Sequence, residues 1–101
     1  MAVTSVTSSD GKSLTISIDG RFDFSAHQSF RSSYESISPI PSEINVDLSR
    51  TNYLDSSALG MLLLLRDHSG GDSSNITLDG CADEIRKILT ISNFEQLFKI
   101  S

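Results

Sequence analysis

Asp55-Ser56-Ser57-Ala58-Leu59-Gly60-Met61-Leu62-Leu63-Leu64-Leu65 contains the most apolar run of the chain, and it follows Ile44-Asn45-Val46-Asp47-Leu48 after a gap of six residues. The earlier stretch alternates apolar and polar side chains, which is the period of a strand with one buried face. The later stretch carries too many leucines, which lack branching at Cβ, for a strand, and Asp55-Ser56-Ser57 supplies helix-capping chemistry at its start. It predicts a largely buried helix from Ser57 to about His68. Gly70-Gly71 stops that helix, and Arg66 and His68 suit its negative C-terminal end. Gly60 lies in the first turn, where glycine costs about 1 kcal/mol. It implies close packing or close approach by something else. A strand, the link Ser49 to Asp55 and a buried helix together make one unit of an α/β layer fold.

Working outward, Leu14, Ile16 and Ile18 alternate with Thr15, Ser17 and Asp19, predicting another strand that Gly20 breaks. Before it, the weakly apolar Val3 to Ser8 reads as an edge strand, joined through the Ser9-Asp10-Gly11-Lys12 turn. Arg21 to Phe24 reads as a connector. Ser25 is a suitable N-cap for a helix from Ala26 to about Ser36, with Asp23 as a second cap-like residue, and the helix carries Ala26, Phe30, Tyr34 and Ile37 on one face and Gln28, Arg31, Ser32 and Glu35 on the other. Pro39 and Pro41 close it. Asn75 to Leu78 predicts a fourth strand, Asp83 a cap for a third helix bearing Ile85, Ile88 and Leu89, and Phe94 to Ile100 a short helix or a final short strand. The order β-β-α-β-α-β-α implies one domain over residues 1–101: a mixed sheet of four to five strands with three to four helices.

Composition narrows the function. Thirteen acidic residues against eight basic give a net charge of −5. Nucleic-acid and anionic-membrane surfaces need clustered Lys and Arg, so neither partner is expected. A single cysteine, Cys81, cannot form an internal disulfide. No apolar run approaches the roughly 20 residues of a membrane span, and Met1-Ala2-Val3-Thr4-Ser5 has neither the basic start nor the apolar stretch of a leader. The expectation is a small cytoplasmic domain.

Asn52 to Gly60 is the segment that could carry chemistry. It joins a strand end to a helix start, where ligand and partner sites of open α/β sheets gather and where free N–H groups favour a phosphate. Ser56 or Ser57 would present a hydroxyl there; a plain N-cap is the simpler alternative. His27 or His68 with Ser56 could suggest a hydrolase, but no Gly-x-Ser-x-Gly elbow exists, so no enzyme is expected. Cys81 has no second Cys or His at metal-site spacing, and no cofactor is implied. Arg21 and Arg50 could meet a partner's acids or simply face solvent. Phe22 and Phe24 flank Asp23, and either both are core or one is an interface anchor.

Asp55-Ser56-Ser57-Ala58-Leu59-Gly60, followed by Met61-Leu62-Leu63, resembles the Asp-Ser-Ser/Thr-Gly-Leu-Gly signature of STAS-domain proteins, the anti-sigma factor antagonists. Gly20-Arg21-Phe22-Asp23 resembles that family's Gly-x-x-Asp element, Val46-Asp47-Leu48-Ser49 the strand leading to the signature, and Ile91 to Phe98 its closing pattern. Ala58 stands where the family prefers glycine. The resemblance implies a STAS-like fold and a bacterial partner-switching regulator. Unphosphorylated at Ser56, such a protein binds a serine kinase/anti-sigma factor of the histidine-kinase-like ATPase fold and releases a sigma factor or other effector. The kinase phosphorylates Ser56, and a PP2C-type phosphatase restores it. Partner binding is accordingly expected at Asp23, Asp55, Ser56, Ser57, Ala58 and Gly60, with Phe22 added as the anchor beside Asp23, in a chain expected to act as a monomer. A constitutive STAS subunit of a transporter or larger complex is the alternative.

Overall fold

In the computed structural model, which describes residues 2–37 and 39–101, the chain forms six strands and three α-helices. Met1, part of the N-terminal stretch read as leader-free, lies outside the described residues. In order these are β1 (Ala2–Thr7), β2 (Ser13–Phe22), α1 (His27–Glu35), β3 (Glu43–Asp47), β4 (Thr51–Leu54), α2 (Ser56–His68), β5 (Ile76–Asp79), α3 (Asp83–Ile91) and β6 (Lys99–Ile100). The sheet runs β1-β2-β3-β5-β6, with β4 paired to β2. β1 is antiparallel to β2 and every other pairing is parallel.

The period-2 strands predicted around Leu14 and Ile44 and the short strand predicted at Asn75 to Leu78 are present, and their register explains the core. Leu14 pairs with Ile44 and Ile44 with Ile76, while Ile16, Val46 and Leu78 form the next row. All six side chains are buried, and they join Phe30 and Tyr34 of α1, Met61, Leu62 and Leu65 of α2, and Ile85 and Leu89 of α3 in one cluster. The alternate residues Thr15, Ser17, Asn45, Asp47 and Thr77 are only half-buried. A sheet with one packed and one open face produces this pattern.

The sheet has one strand more than the four to five expected. β4 occupies part of the segment read as a link, and β6 realises the strand alternative for the C-terminus after a 3₁₀ turn at Phe94–Gln96. β4 exists because Gly20 bends β2 instead of ending it. Gly20 takes φ +95°, the register shifts between Gly20 and Arg21, and β2 exchanges its neighbour β3 for β4. Such a bulge re-aims a strand end. Thr51 fixes the junction: its buried hydroxyl donates to the Ile18 carbonyl at 2.8 Å. Arg21 and Phe22 are therefore strand residues, not connector.

Three cap assignments change. Asp23, not Ser25, caps the chain after β2: its carboxylate accepts the Ser25 amide, a 3₁₀ turn Phe24–Ala26 follows, and α1 begins at His27. α3 is capped at Ala82 without a side-chain bond, and Asp83 is its first residue, where an acid suits the positive helix end. α2 starts one residue earlier than read, with Asp55 as cap. α2 is also less buried than its composition implies. Ala58, Met61, Leu62 and Leu65 face the core, whereas Leu63 and Leu64 are 39% and 51% exposed.

Candidate functional site

The parallel pairing of β2 and β4 builds the site. Phe22 pairs with Leu54, so the next residues, Asp23 and Asp55, emerge side by side at the carboxyl edge of the sheet. Each begins the same short motif, Asp-x-Ser, and each aspartate folds back on its own turn. The Asp55 carboxylate accepts the Ser57 and Ala58 amides at 3.1 Å each and the Ser57 hydroxyl at 2.6 Å. The Asp23 carboxylate accepts the Ser25 amide at 3.0 Å and the Ser25 hydroxyl on one oxygen, and Arg21 Nε at 3.3 Å on the other. The Ser25 hydroxyl first, and Arg21 among the lesser causes, hold the Asp23 carboxyl below its ordinary ionisation range. Arg21 also lies over the Tyr53 ring, 3.8 Å from guanidinium carbon to ring centre.

The two serines of the motif are placed differently. The Ser57 hydroxyl is engaged with Asp55 and half-buried. Ser56, first residue of α2, is exposed, and among the described residues its hydroxyl has no hydrogen-bond partner. Of the pair, Ser56 is the one open to chemistry from outside. One turn on, Gly60 is exposed, and a Cβ built there meets nothing within 4 Å. Close packing inside the domain therefore does not explain this glycine. Ser56, Gly60, Leu63, Leu64 and Asp67 share the helical spacing of one face, and all five are exposed.

Not every residue assigned to partner binding reaches the surface. Phe22 is fully buried, with its ring 5.1 Å from that of Phe30, and cannot touch a partner. Of the two rings flanking Asp23, Phe24 is the exposed one, at 70%, and it stacks on His27. The Ala58 side chain is likewise buried, so only its backbone belongs to the turn. Tyr53, Leu63 and Leu64 escaped the sequence reading. Helical periodicity could have found the leucines, because the apolar run Met61 to Leu65 cannot turn every member toward one core.

His68 stands twelve residues from Ser56 along α2, about 18 Å away. It packs against the Tyr34 ring instead. The Cys81 thiol points to the Leu78 carbonyl at 3.7 Å, and burial pushes its ionisation up, which disfavours a reactive thiolate. Among the described residues, no three His, Cys, Asp or Glu side chains group as metal ligands. No helix there is long and apolar enough to cross a membrane.

The chain has relatives among known proteins. A STAS-domain containing protein of Pseudomonas aeruginosa (strain UCBPP-PA14) is 62% identical over 101 residues, covering all of both chains. Among solved structures, the anti-sigma factor antagonist SpoIIAA in its unphosphorylated form superposes with a TM-score of 0.76 at 17% identity, covering 99% of this chain and 87% of that one. A sulfate transporter family protein from Wolinella succinogenes gives 0.71 at 17% identity, over 84% and 74%. At that identity the two structures speak for the fold alone. The family described as "Mlab, STAS domain" matches residues 5–99, and with that match spanning nearly the whole length, the chain belongs to the STAS-domain family.

Proposed function

We propose that this STAS domain is a phosphorylation-switched regulator working as a monomer in the cytoplasm. Unphosphorylated at Ser56, it binds and sequesters a serine kinase/anti-sigma-type partner of the histidine-kinase-like ATPase fold, freeing a sigma factor or other effector. Phosphorylation of Ser56 by that kinase breaks the complex, and a PP2C-type phosphatase restores it. The observation that carries this reading is the contrast inside the motif: Ser57 is tied to Asp55, while Ser56 is exposed and unpartnered at the helix start. A phosphate adds a charge of about −1.5 to −2, and it would arrive between Asp55 and the neighbouring Asp23. Repulsion at that edge changes affinity without changing the fold. The partner surface comprises Asp23, Phe24, Asp55, Ser56 and Gly60.

A second reading, a constitutive subunit of a transporter or larger complex, draws on the exposed Leu63 and Leu64, which suit lasting apolar contact. Calorimetry with the kinase separates the two. Ser56→Ala keeps binding, since it removes at most a first-turn hydroxyl, and Ser56→Asp weakens it tenfold or more, about 1.4 kcal/mol. Equal affinity of the two variants would remove charge at Ser56 as the switch and favour the constitutive subunit.

A further inference from the structure

Phosphate on Ser56 would meet a helix start whose nearest donors are already engaged. Asp55 takes the amides of Ser57 and Ala58, the N–H groups that would otherwise receive an anion. With Asp23 one strand away, a dianion there calls for a cation, and the β2–β4 register supplies one. Arg21 pairs with Tyr53. Its guanidinium over the Tyr53 ring lies displaced from β2 toward β4, the strand that leads through Leu54 and Asp55 into Ser56. Tyr53 to Asp55 is two residues, about 7 Å along a strand. The hold of Asp23 on this arginine is slight: one Nε contact at 3.3 Å, with the Arg21 side chain 60% exposed. Solvated pairs of this kind contribute little.

We infer that Arg21 is the internal counter-ion of phosphorylated Ser56: it leaves Asp23, turns on the Tyr53 ring and pairs with the phosphate. This rests on Ser56 being the phosphoacceptor. A guanidinium–phosphate pair offers two parallel charge-assisted hydrogen bonds in place of one long contact. The exchange has a consequence for both turns. Asp23, in loose contact with Arg21 before modification, loses that cationic neighbour after it. One phosphate thereby changes the charge presented at two adjacent loops.

The test uses the full chain with phosphoserine installed at position 56 by genetic encoding, so no kinase is involved. Phosphorus NMR follows the second ionisation of the phosphate, ordinarily near pH 6, in that protein and in its Arg21→Gln and Arg50→Gln forms. Arg50 lies in the β3–β4 turn and faces Asp19 at 3.8 Å, which makes it the control. An arginine beside the phosphate favours the dianion, so Arg21→Gln raises the apparent pKa by about half a unit or more, while Arg50→Gln leaves it unchanged. Equal values with and without Arg21, or equal shifts in both variants, would overturn the inference. The Arg21 Nε–H proton resonance gives a second reading without any variant. It moves on phosphorylation if the guanidinium changes partner, and an unmoved resonance speaks against the exchange. A kinase that ignores Ser56 would defeat the phosphoacceptor reading yet leave this titration readable, and a flat titration would leave kinase mapping of Ser56 intact.

Discussion

The turns after β2 and β4 use the same Asp-x-Ser chemistry and reach different ends. In Asp55-Ser56-Ser57 both free amides of the following turn close onto the carboxylate, and α2 begins at once. In Asp23-Phe24-Ser25 the carboxylate holds a single amide, a 3₁₀ turn intervenes, and the second oxygen faces Arg21. The outward middle residue is a serine in one and a phenylalanine in the other. Asp55 is thus committed to the helix, whereas Asp23 divides itself between the fold and the surface. Side by side, the two turns offer a hydroxyl on a rigid base and an aromatic ring next to a labile ion pair.

The largest stability effect falls on the committed turn. Asp55→Ala removes a cap with two amide bonds and is expected to cost about 2 kcal/mol, the upper end for such caps, read as a lowered urea midpoint with an unchanged slope. Asp23→Ala, which loses one amide bond, is expected to cost about 1 kcal/mol or less and to reduce kinase affinity severalfold. If the two variants melt together, the turns are equivalent and the division of labour is wrong. If Asp23→Ala melts early and still binds normally, Asp23 belongs to the fold alone.

Gly60→Ala sharpens the contrast from the helix side. With nothing within 4 Å of the added Cβ, alanine is expected to stabilise α2 by about 0.5–1 kcal/mol. A partner whose backbone approaches this face would bind the same variant less well. Higher stability with undiminished kinase affinity would leave Gly60 without a role. Phe24→Ala is expected to leave the melting midpoint within about 0.5 kcal/mol of the parent while weakening binding, and a stability loss without a binding loss would return Phe24 to the fold.

The smallest effect is one of pH. Asp23 ionises below its ordinary value of 3.8 because the folded turn favours its charged form. The stability it contributes is complete above about pH 4 and disappears as pH falls through the lowered value. Asp23→Asn should flatten that part of the acid-unfolding profile, and an unaltered profile would show that the turn does not depend on the charge.

Much of this was legible in the sequence, for reasons that differ by element. Rows such as Leu14-Ile16-Ile18 and Ile44-Val46 carry their faces in their period, and the Asp-Ser-Ser motif marks its helix start by its hydrogen-bonding chemistry. β4 was not legible, because Thr51-Asn52-Tyr53-Leu54 buries only its two ends and owes its place to the bend at Gly20. The burial of Phe22, a residue expected on the partner surface, has the same origin: two more strand residues after Gly20 send Phe22 inward and leave Phe24 outside. Ser25 and Asp23 were both legible as caps because both residue types cap helices, and only the 3₁₀ turn tells them apart.

The most direct measurement is the position of the phosphate. The wild-type chain, Ser56→Ala and Ser57→Ala are each incubated with the cognate kinase and ATP, and the modified residue is mapped by mass spectrometry. The free hydroxyl of Ser56 and the tied hydroxyl of Ser57 lead to phosphate on Ser56 in the wild type and in Ser57→Ala, and none in Ser56→Ala. Phosphate found mainly on Ser57, or persisting in Ser56→Ala, would contradict the assignment of Ser56 as the switch.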